Sequence, residues 1–242
     1  MNTSTAPMNP EWLNALPQHR LLAEMSLWSA DLGHLVDDIA RVDARTDIYH
    51  IDTADGHFSP ALLFFPDLVR CARKVTRKPL HVHLMMADAI LHEQIEQFAE
   101  AGADAISVHA ENANVSAALD HIERLGCVPG VVLQLHTPIA AIQPWLHRIG
   151  IFTLLGTRIG VKGQGLDDQA EARLREAREL IARQAAQPGQ RRVLLVADGG
   201  IREHTVPGLR RAGADAVVMG SLAFGAADFD ARMDWLHSLP AQ

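Results

Sequence analysis

"AGADAISV" at residues 101–108 and "AGADAVVM" at 212–219 are nearly one phrase written twice. In each, a glycine can take the left-handed conformation that ends a helix, and an aspartate turns the chain into an apolar run. The helix-to-strand joint is therefore a recurring unit. Working outward from it, short apolar runs alternate with longer amphipathic stretches from residue 21 onward. Strand-like runs fall at 21–27, 47–52, 79–85, 104–110, 129–135, 150–156, 192–198 and 215–220. Helical spacing fills the intervals at 32–44, 66–77, 88–101, 113–125, 138–147, 168–187, 203–212 and 224–237. Eight strands, each followed by a helix, in 242 residues predict a single α/β domain, a (β/α)8 TIM barrel over 21–242 preceded by an N-terminal extension, 1–20. A doubly wound sheet is the alternative.

A chain that is 48% hydrophobic and 21% charged can bury a substantial core. Its net charge of -7 gives no general attraction to nucleic acid or to an anionic membrane, so an anionic ligand needs a locally built site. No segment approaches the run of about 18 apolar residues that a membrane helix requires, and residues 1–20 lack a signal-peptide pattern. Two cysteines, Cys71 and Cys127, make neither a disulfide framework nor a metal spacing and fit a reducing compartment. The expectation is a cytoplasmic protein that binds a small molecule, with no nucleic-acid or membrane partner. "NPEWLNALP" (9–17) reads as a short amphipathic helix suited to packing on a neighbouring subunit, and a homo-oligomer is expected.

Barrels place their chemistry at the carboxyl ends of the strands. The second strand ends in His50-Ile51-Asp52, and side chains two apart on a strand point the same way, roughly 6.6 Å apart at the backbone. The third strand adds His83 and the seventh Asp198. Two imidazoles and two carboxylates suit one divalent ion, Zn, Fe, Mn or Co, without selecting among them. A lone strand-end Asp or His is usually a turn cap or a solvated side chain, and Asp55-Gly56 reads well as a turn. Turns do not explain His50, Asp52, His83 and Asp198 together. Strands seven and eight end in "DGGI" (198–201) and "GS" (220–221), where Gly199, Gly200, Gly220 and Ser221 suit a phosphate cradle.

"SLWSADL" (26–32), "HIDTADGHF" (50–58), "HVHLM" (81–85), "AGADAISVH" (101–109), "VADGGI" (196–201) and "MGSLAFG" (219–225) resemble, in order, the ribulose-phosphate 3-epimerase family. The resemblance implies a metal-dependent (β/α)8 enzyme that inverts C3 of a ketose phosphate, commonly interconverting D-ribulose 5-phosphate and D-xylulose 5-phosphate. It implies His50, Asp52, His83 and Asp198 as metal ligands and Asp52 and Asp198 as the acid/base pair. It further implies Ser26 as a substrate contact and the four strand-end residues above as the phosphate site. Inverting a carbon beside a carbonyl removes a proton from one face and returns one to the other, so a group is needed on each side. The enediolate formed between needs its charge stabilised, which a metal can do.

The chain departs from the family pattern where that pattern lines the site with methionines. Ala54 and Gly156 stand in their places and only Met85 remains, so a wider or wetter space is expected. The loop "LGTRIGVKGQGLDD" (155–168) replaces a proline- and phenylalanine-containing lid and adds Arg158 and Lys162. Gly160, Gly163 and Gly165 retain hinge positions, and Lys162 and Gly163 are assigned to anion binding. His57, Trp28 and Ser29 are placed at the rim, with His57 and Met85 as further substrate contacts and Ser29 equally suited to cap the next helix. His81, where the family more often has Asp or Asn, reads as a supporting histidine one layer deeper, and His109 and His136 as pocket-facing. A different enediolate isomerase or aldolase, or a noncatalytic sugar-phosphate binder, would fit the same fold. The paired aspartates favour epimerisation over both.

Overall fold

A computed structural model describes residues 11–240. Eight parallel strands close on themselves: β1 (Leu22–Ser26), β2 (Ile48–Asp55), β3 (Leu80–Met85), β4 (Ala105–His109), β5 (Val128–Leu133), β6 (Ile151–Leu155), β7 (Leu194–Asp198) and β8 (Ala216–Met219). Each pairs with its sequence neighbour and β8 pairs with β1, which makes the (β/α)8 barrel that the alternation predicts. A two-residue antiparallel rung, Leu62–Leu63, hangs from the end of β2. No helix among the described residues is long and apolar enough to cross a membrane.

The repeated phrase proves to be a brace as well as a turn. Gly102 and Gly213 adopt φ of 105° and 106° after their helices. The following aspartates reach sideways to the preceding strand: Asp104 accepts from the Leu80 N–H at 2.8 Å and Asp215 from the Leu195 N–H at 2.9 Å. An arginine holds each carboxylate and the glycine carbonyl before it, Arg73 at Asp104 and Gly102, Arg178 at Asp215 and Gly213. Asp47 repeats the device without the glycine, binding the Ala23 N–H at 2.9 Å and Arg20. Each brace satisfies a backbone donor at a strand entrance and fixes the register of two neighbouring strands.

Two helical expectations are revised. Residues 138–147 were expected to be a helix, but only a 3-10 turn, Ile139–Ile142, forms there. Pro144 falls in the interior of the expected span, where it removes a donor and clashes with the preceding turn. The final helix, expected over 224–237, is two pieces, Ser221–Phe224 and Phe229–Ser238, the second capped by Asp228 accepting from the Ala231 N–H at 2.9 Å.

The barrel interior is divided by height. Its lower half is apolar: Leu22, Ile48, Ala105, Val128, Ile151 and Leu194 are buried together, and Trp12 and Leu13 close the bottom. These two come from the helical turn Trp12–Ala15, whose trailing carbonyls at Leu13 and Leu16 accept from Arg192 at 2.9 and 3.0 Å. The part of the amphipathic segment that lies within the described residues, from residue 11, thus packs under its own barrel; residues 9 and 10 lie outside them. Above this layer the interior turns polar, with Glu24, His50, His81 and Ser107 all fully buried. Trp12→Ala is expected to lower stability by about 3 kcal/mol, through lost burial and an unfilled cavity at the barrel floor. Urea unfolding measures this, and an unchanged midpoint would show that the plug contributes nothing.

Candidate functional site

Period-two alternation and the polarity of the barrel bring side chains from three strand tips to one point. One ligating atom each from His50, Asp52, His83 and Asp198 lies within 4.8 Å of all the others. His50 Nε2 is 3.1 Å from Asp52 Oδ1 and 3.8 Å from Asp198 Oδ2. His83 Nδ1 is 3.3 Å from Asp52 Oδ1 and 3.8 Å from Asp198 Oδ2. Ligand bonds of about 2.0–2.2 Å would set neighbouring donors of a tetrahedral site roughly 3.3–3.6 Å apart, close to these spacings. His83 Nδ1 is buried without a hydrogen-bond partner, which is what a nitrogen reserved for an ion looks like. The donor set therefore fits a divalent metal.

Each histidine is held from behind. His50 Nδ1 lies 2.7 Å from Glu24 Oε1, and His81 Nδ1 lies 2.5 Å from the same oxygen. His81 Nε2 continues to Ser107 Oγ at 2.6 Å. Behind His83 runs a second chain: its Nε2 is 2.8 Å from His109 Nε2, and His109 Nδ1 is 3.1 Å from Glu111 Oε2. If His109 donates to Glu111, it accepts from His83, and the free nitrogen of His83 turns to the cluster. Glu24 and Glu111 did not emerge from the sequence reading. The available signal for Glu24 was a carboxylate inside the otherwise apolar run "LLAEMSL". Glu24, His50 and His81 also converge closely enough to be a second ligand group. Their 2.5 and 2.7 Å contacts are hydrogen-bond lengths, shorter than the spacing of two donors on one ion.

The cluster floors a cleft of about 310 Å³. Ser26, Asp52, His83, Met85, Lys162, Gly163, Asp198, Gly199, Gly200, Gly220 and Ser221 all line it, with Trp28 and Ser29. His50 lies beneath, fully buried. His57 is not on the cleft: it is exposed, in a turn whose backbone donates to Asp55, so its placement as a substrate contact is not supported by position. Ser29 caps nothing, since Asp31 accepts from the Gly33 N–H. Neither of the histidines expected to face the pocket lines the cleft: His109 is buried behind His83, and His136 lines a separate groove beside Arg158.

The loop after β6 folds over the cleft. The Lys162 ammonium donates to the Trp28 carbonyl and sits 4.9 Å from the centre of its ring. Gly199 and Gly200, with φ of 88° and 71°, leave no room for a side chain: a Cβ on Gly200 would stand 2.7 Å from Leu166 Cα. Gly156 does not widen the site as expected. A Cβ there would meet Leu166 Cδ1 at 2.6 Å and the Gly199 carbonyl at 2.8 Å, so the returning limb of the loop fills that space.

Solved structures place the chain first in a class, the (β/α)8 barrels. It superposes on 3-hexulose-6-phosphate synthase with a TM-score of 0.65 at 19% identity, covering 92% of this chain and 100% of that one. Orotidine 5'-phosphate decarboxylase from Pyrococcus horikoshii OT3 gives 0.63 at 14%, covering 89% and 97%. Sequence narrows the class. The pattern of the ribulose-phosphate 3 epimerase family matches residues 22–224, and the chain belongs to that family of isomerases. The ribulose-phosphate 3-epimerase of Bacillus subtilis (strain 168) is 35% identical over 205 residues, 84% of this chain and 92% of its own length. That of Aquifex aeolicus (strain VF5) is 36% identical over 201 residues, 83% and 87%.

Within the site the two carboxylates titrate apart. Burial alone would raise Asp52, but His50 and His83 hold it well below the usual range. Asp198 is raised from 3.8 to about 6, by burial above all and by the Asp52 charge, against the pull of His50 and His83. Burial lowers His83 to about 4, while Asp52 and Glu24 outweigh burial and keep His50 well above its ordinary value. In the metal-free protein, folded Asp198 keeps its proton up to about pH 6, whereas the unfolded chain releases it near 3.8. The contribution of Asp198 to stability therefore falls as pH rises through that window, by on the order of 2–3 kcal/mol, while the lowered His83 works in the opposite sense over nearly the same range. Asp198→Asn is expected to raise the melting temperature of the chelator-treated protein above pH 6 and to lose this advantage near pH 4. Equal gains at both pH values would refute the titration.

Proposed function

We propose that the chain is a metal-dependent 3-epimerase of a ketose phosphate, with D-ribulose 5-phosphate and D-xylulose 5-phosphate as the default pair. The observation that supports it most is one cleft floor on which two carboxylates face a common point and are shifted in opposite directions from the ordinary carboxylate range. Environments that separate two carboxyl groups in this way are how one site supplies a base and an acid together. On this reading Asp52 starts ionised and takes the C3 proton from one face, while Asp198 starts protonated and delivers to the other. The roles exchange for the reverse direction. A divalent ion held by His50, Asp52, His83 and Asp198 would act as a Lewis acid toward the ketone and adjacent hydroxyl oxygens, easing loss of the proton between them.

The remaining residues bind and orient. Ser26 Oγ donates to Asp52 Oδ2 at 3.1 Å, which fixes that carboxylate and leaves its other oxygen toward His50. Met85 offers an apolar wall to the sugar carbons. The phosphate is assigned to Gly199, Gly200, Gly220 and Ser221, where bare backbone allows close approach, with Gly163 and Lys162 above it on the loop. Closing the loop excludes water from the deprotonated carbon.

Incubating the protein with D-ribulose 5-phosphate in deuterated water is expected to place deuterium at C3 with inversion, and chelation to abolish it. Asp198→Asn should lower kcat about a thousandfold. Exchange without inversion, or full turnover by that variant, would overturn the assignment. Lys162→Met should raise KM for the phosphorylated ketose about tenfold, the value of one charged hydrogen bond. Steady-state kinetics decide this, and an unchanged KM would remove Lys162 from the phosphate site.

A further inference from the structure

Glu24 is a fully buried carboxylate at the centre of a barrel strand, and one of its two imidazole partners, His50, leads on to the cleft. One oxygen, Oε1, lies 2.7 Å from His50 Nδ1 and 2.5 Å from His81 Nδ1; the other has no hydrogen-bond partner. A carboxylate has only lone pairs to offer, so both Nδ1 atoms must carry hydrogen. That choice propagates upward. With its proton pinned on Nδ1, His50 can present only Nε2 to Asp52 and Asp198, at 3.1 and 3.8 Å.

The neighbours of Glu24 are arranged to hold it in that role. His81 is the register partner of His50 on the adjoining strand, with ring centroids 5.3 Å apart and planes at 88°, so the two imidazoles approach one oxygen from different directions. The far nitrogen of His81 is engaged by Ser107. Ser107 in turn occupies the space a side chain at Gly130 would need, so a glycine on β5 is what admits its hydroxyl to the interior. Four strands thus contribute to one polar column: Glu24 from β1, His50 from β2, His81 from β3 and Ser107 from β4.

From this we propose that Glu24 is a positioning residue, braced by His81 and Ser107, that fixes the His50 tautomer and so makes Nε2 the metal-facing atom. The inference rests on the metal-dependent reading above and adds to it the residue that prepares one of the ligands. A structural role alone would require a satisfied carboxylate, not one whose single hydrogen-bonded oxygen is spent on the nitrogen opposite the cleft.

Chelator-competition titrations with zinc test it, alongside long-range proton–nitrogen spectra of the zinc-loaded protein. The native chain is expected to show His50 protonated at Nδ1. Glu24→Leu keeps the volume and removes the acceptor, and should weaken zinc binding 10- to 100-fold. Glu24→Gln keeps an acceptor oxygen and should lose less. The double variant Glu24→Ala/His81→Asp moves the carboxylate to β3 beside the same ring and should recover most of the affinity. A purely structural Glu24 would give no such rescue, and the double variant decides the matter if Glu24→Leu fails to fold. Unchanged zinc affinity in Glu24→Leu, or a proton on Nε2 in the native spectrum, would overturn the inference alone. A native chain that binds no divalent ion would overturn the metal reading and this one with it.

Discussion

A carboxylate with no solvent contact stands inside the barrel, and the polar half of the interior exists to satisfy it. Left unpaired, such a charge would cost several kcal/mol, more than most single contacts contribute. Glu24 avoids this with two imidazole donors on one oxygen, and each of those rings passes a nitrogen onward, His81 to Ser107 and His50 to the cleft. A parallel chain runs from Glu111 through His109 to His83. The two arms meet at Asp52, whose Oδ1 lies 3.1 Å from one ring and 3.3 Å from the other. Below them Trp12 and the lower strand residues form an apolar stopper, in which the buried Trp12 indole N–H has no hydrogen-bond partner. The division lets the floor of the barrel supply stability while the upper layers hold buried polar groups in hydrogen-bonded chains.

What could be read from the sequence follows the same division. The barrel was legible because alternation with period two and helical spacing follow from burial alone. The four cluster residues were legible because the fold has a polarity, and His50, Asp52, His83 and Asp198 stand at its chemical end. Glu24 was hidden because a single charge in "LLAEMSL" does not disturb the apolar reading of a strand, and its partners come from strands far away in the chain. Glu111 was hidden for a related reason. It lies past the end of β4, and only the folded chain turns it back onto His109 and toward the Gln134 N–H. Pro144 was visible, yet its effect on the expected helix was outweighed by the helical spacing around it.

The loop over the cleft shows why residue size is a poor guide to cavity size. Exchanging a long side chain for Gly156 suggested open space, but Leu166 from the same loop occupies it. The exchange is better understood as one event with the altered loop. A Cβ at Gly156 or Gly200 would strike Leu166, and one at Gly160 would strike Ser59, so these glycines let the loop lie flat against the barrel rim. Pinned in this way, it brings Lys162 across the mouth to Trp28.

The asymmetry between Asp52 and Asp198 arises from fractions of an ångström. Both are buried beside the same two rings, and burial pushes both upward. Asp52 stands 3.1 and 3.3 Å from the ring nitrogens and also accepts from Ser26. Asp198 stands 3.8 Å from each and has no comparable donor among the described residues, so what the rings return does not offset burial together with the negative charge of Asp52. Coulombic attraction changes slowly over that difference, but a hydrogen bond does not survive it. Which of the two carboxylates ionises more readily is therefore set by which is within hydrogen-bonding reach of its surroundings. Their total burial does not set it. That reach is fixed by the strands: Asp52 shares β2 with His50 and pairs in register with His83, whereas Asp198 faces both from across the barrel on β7.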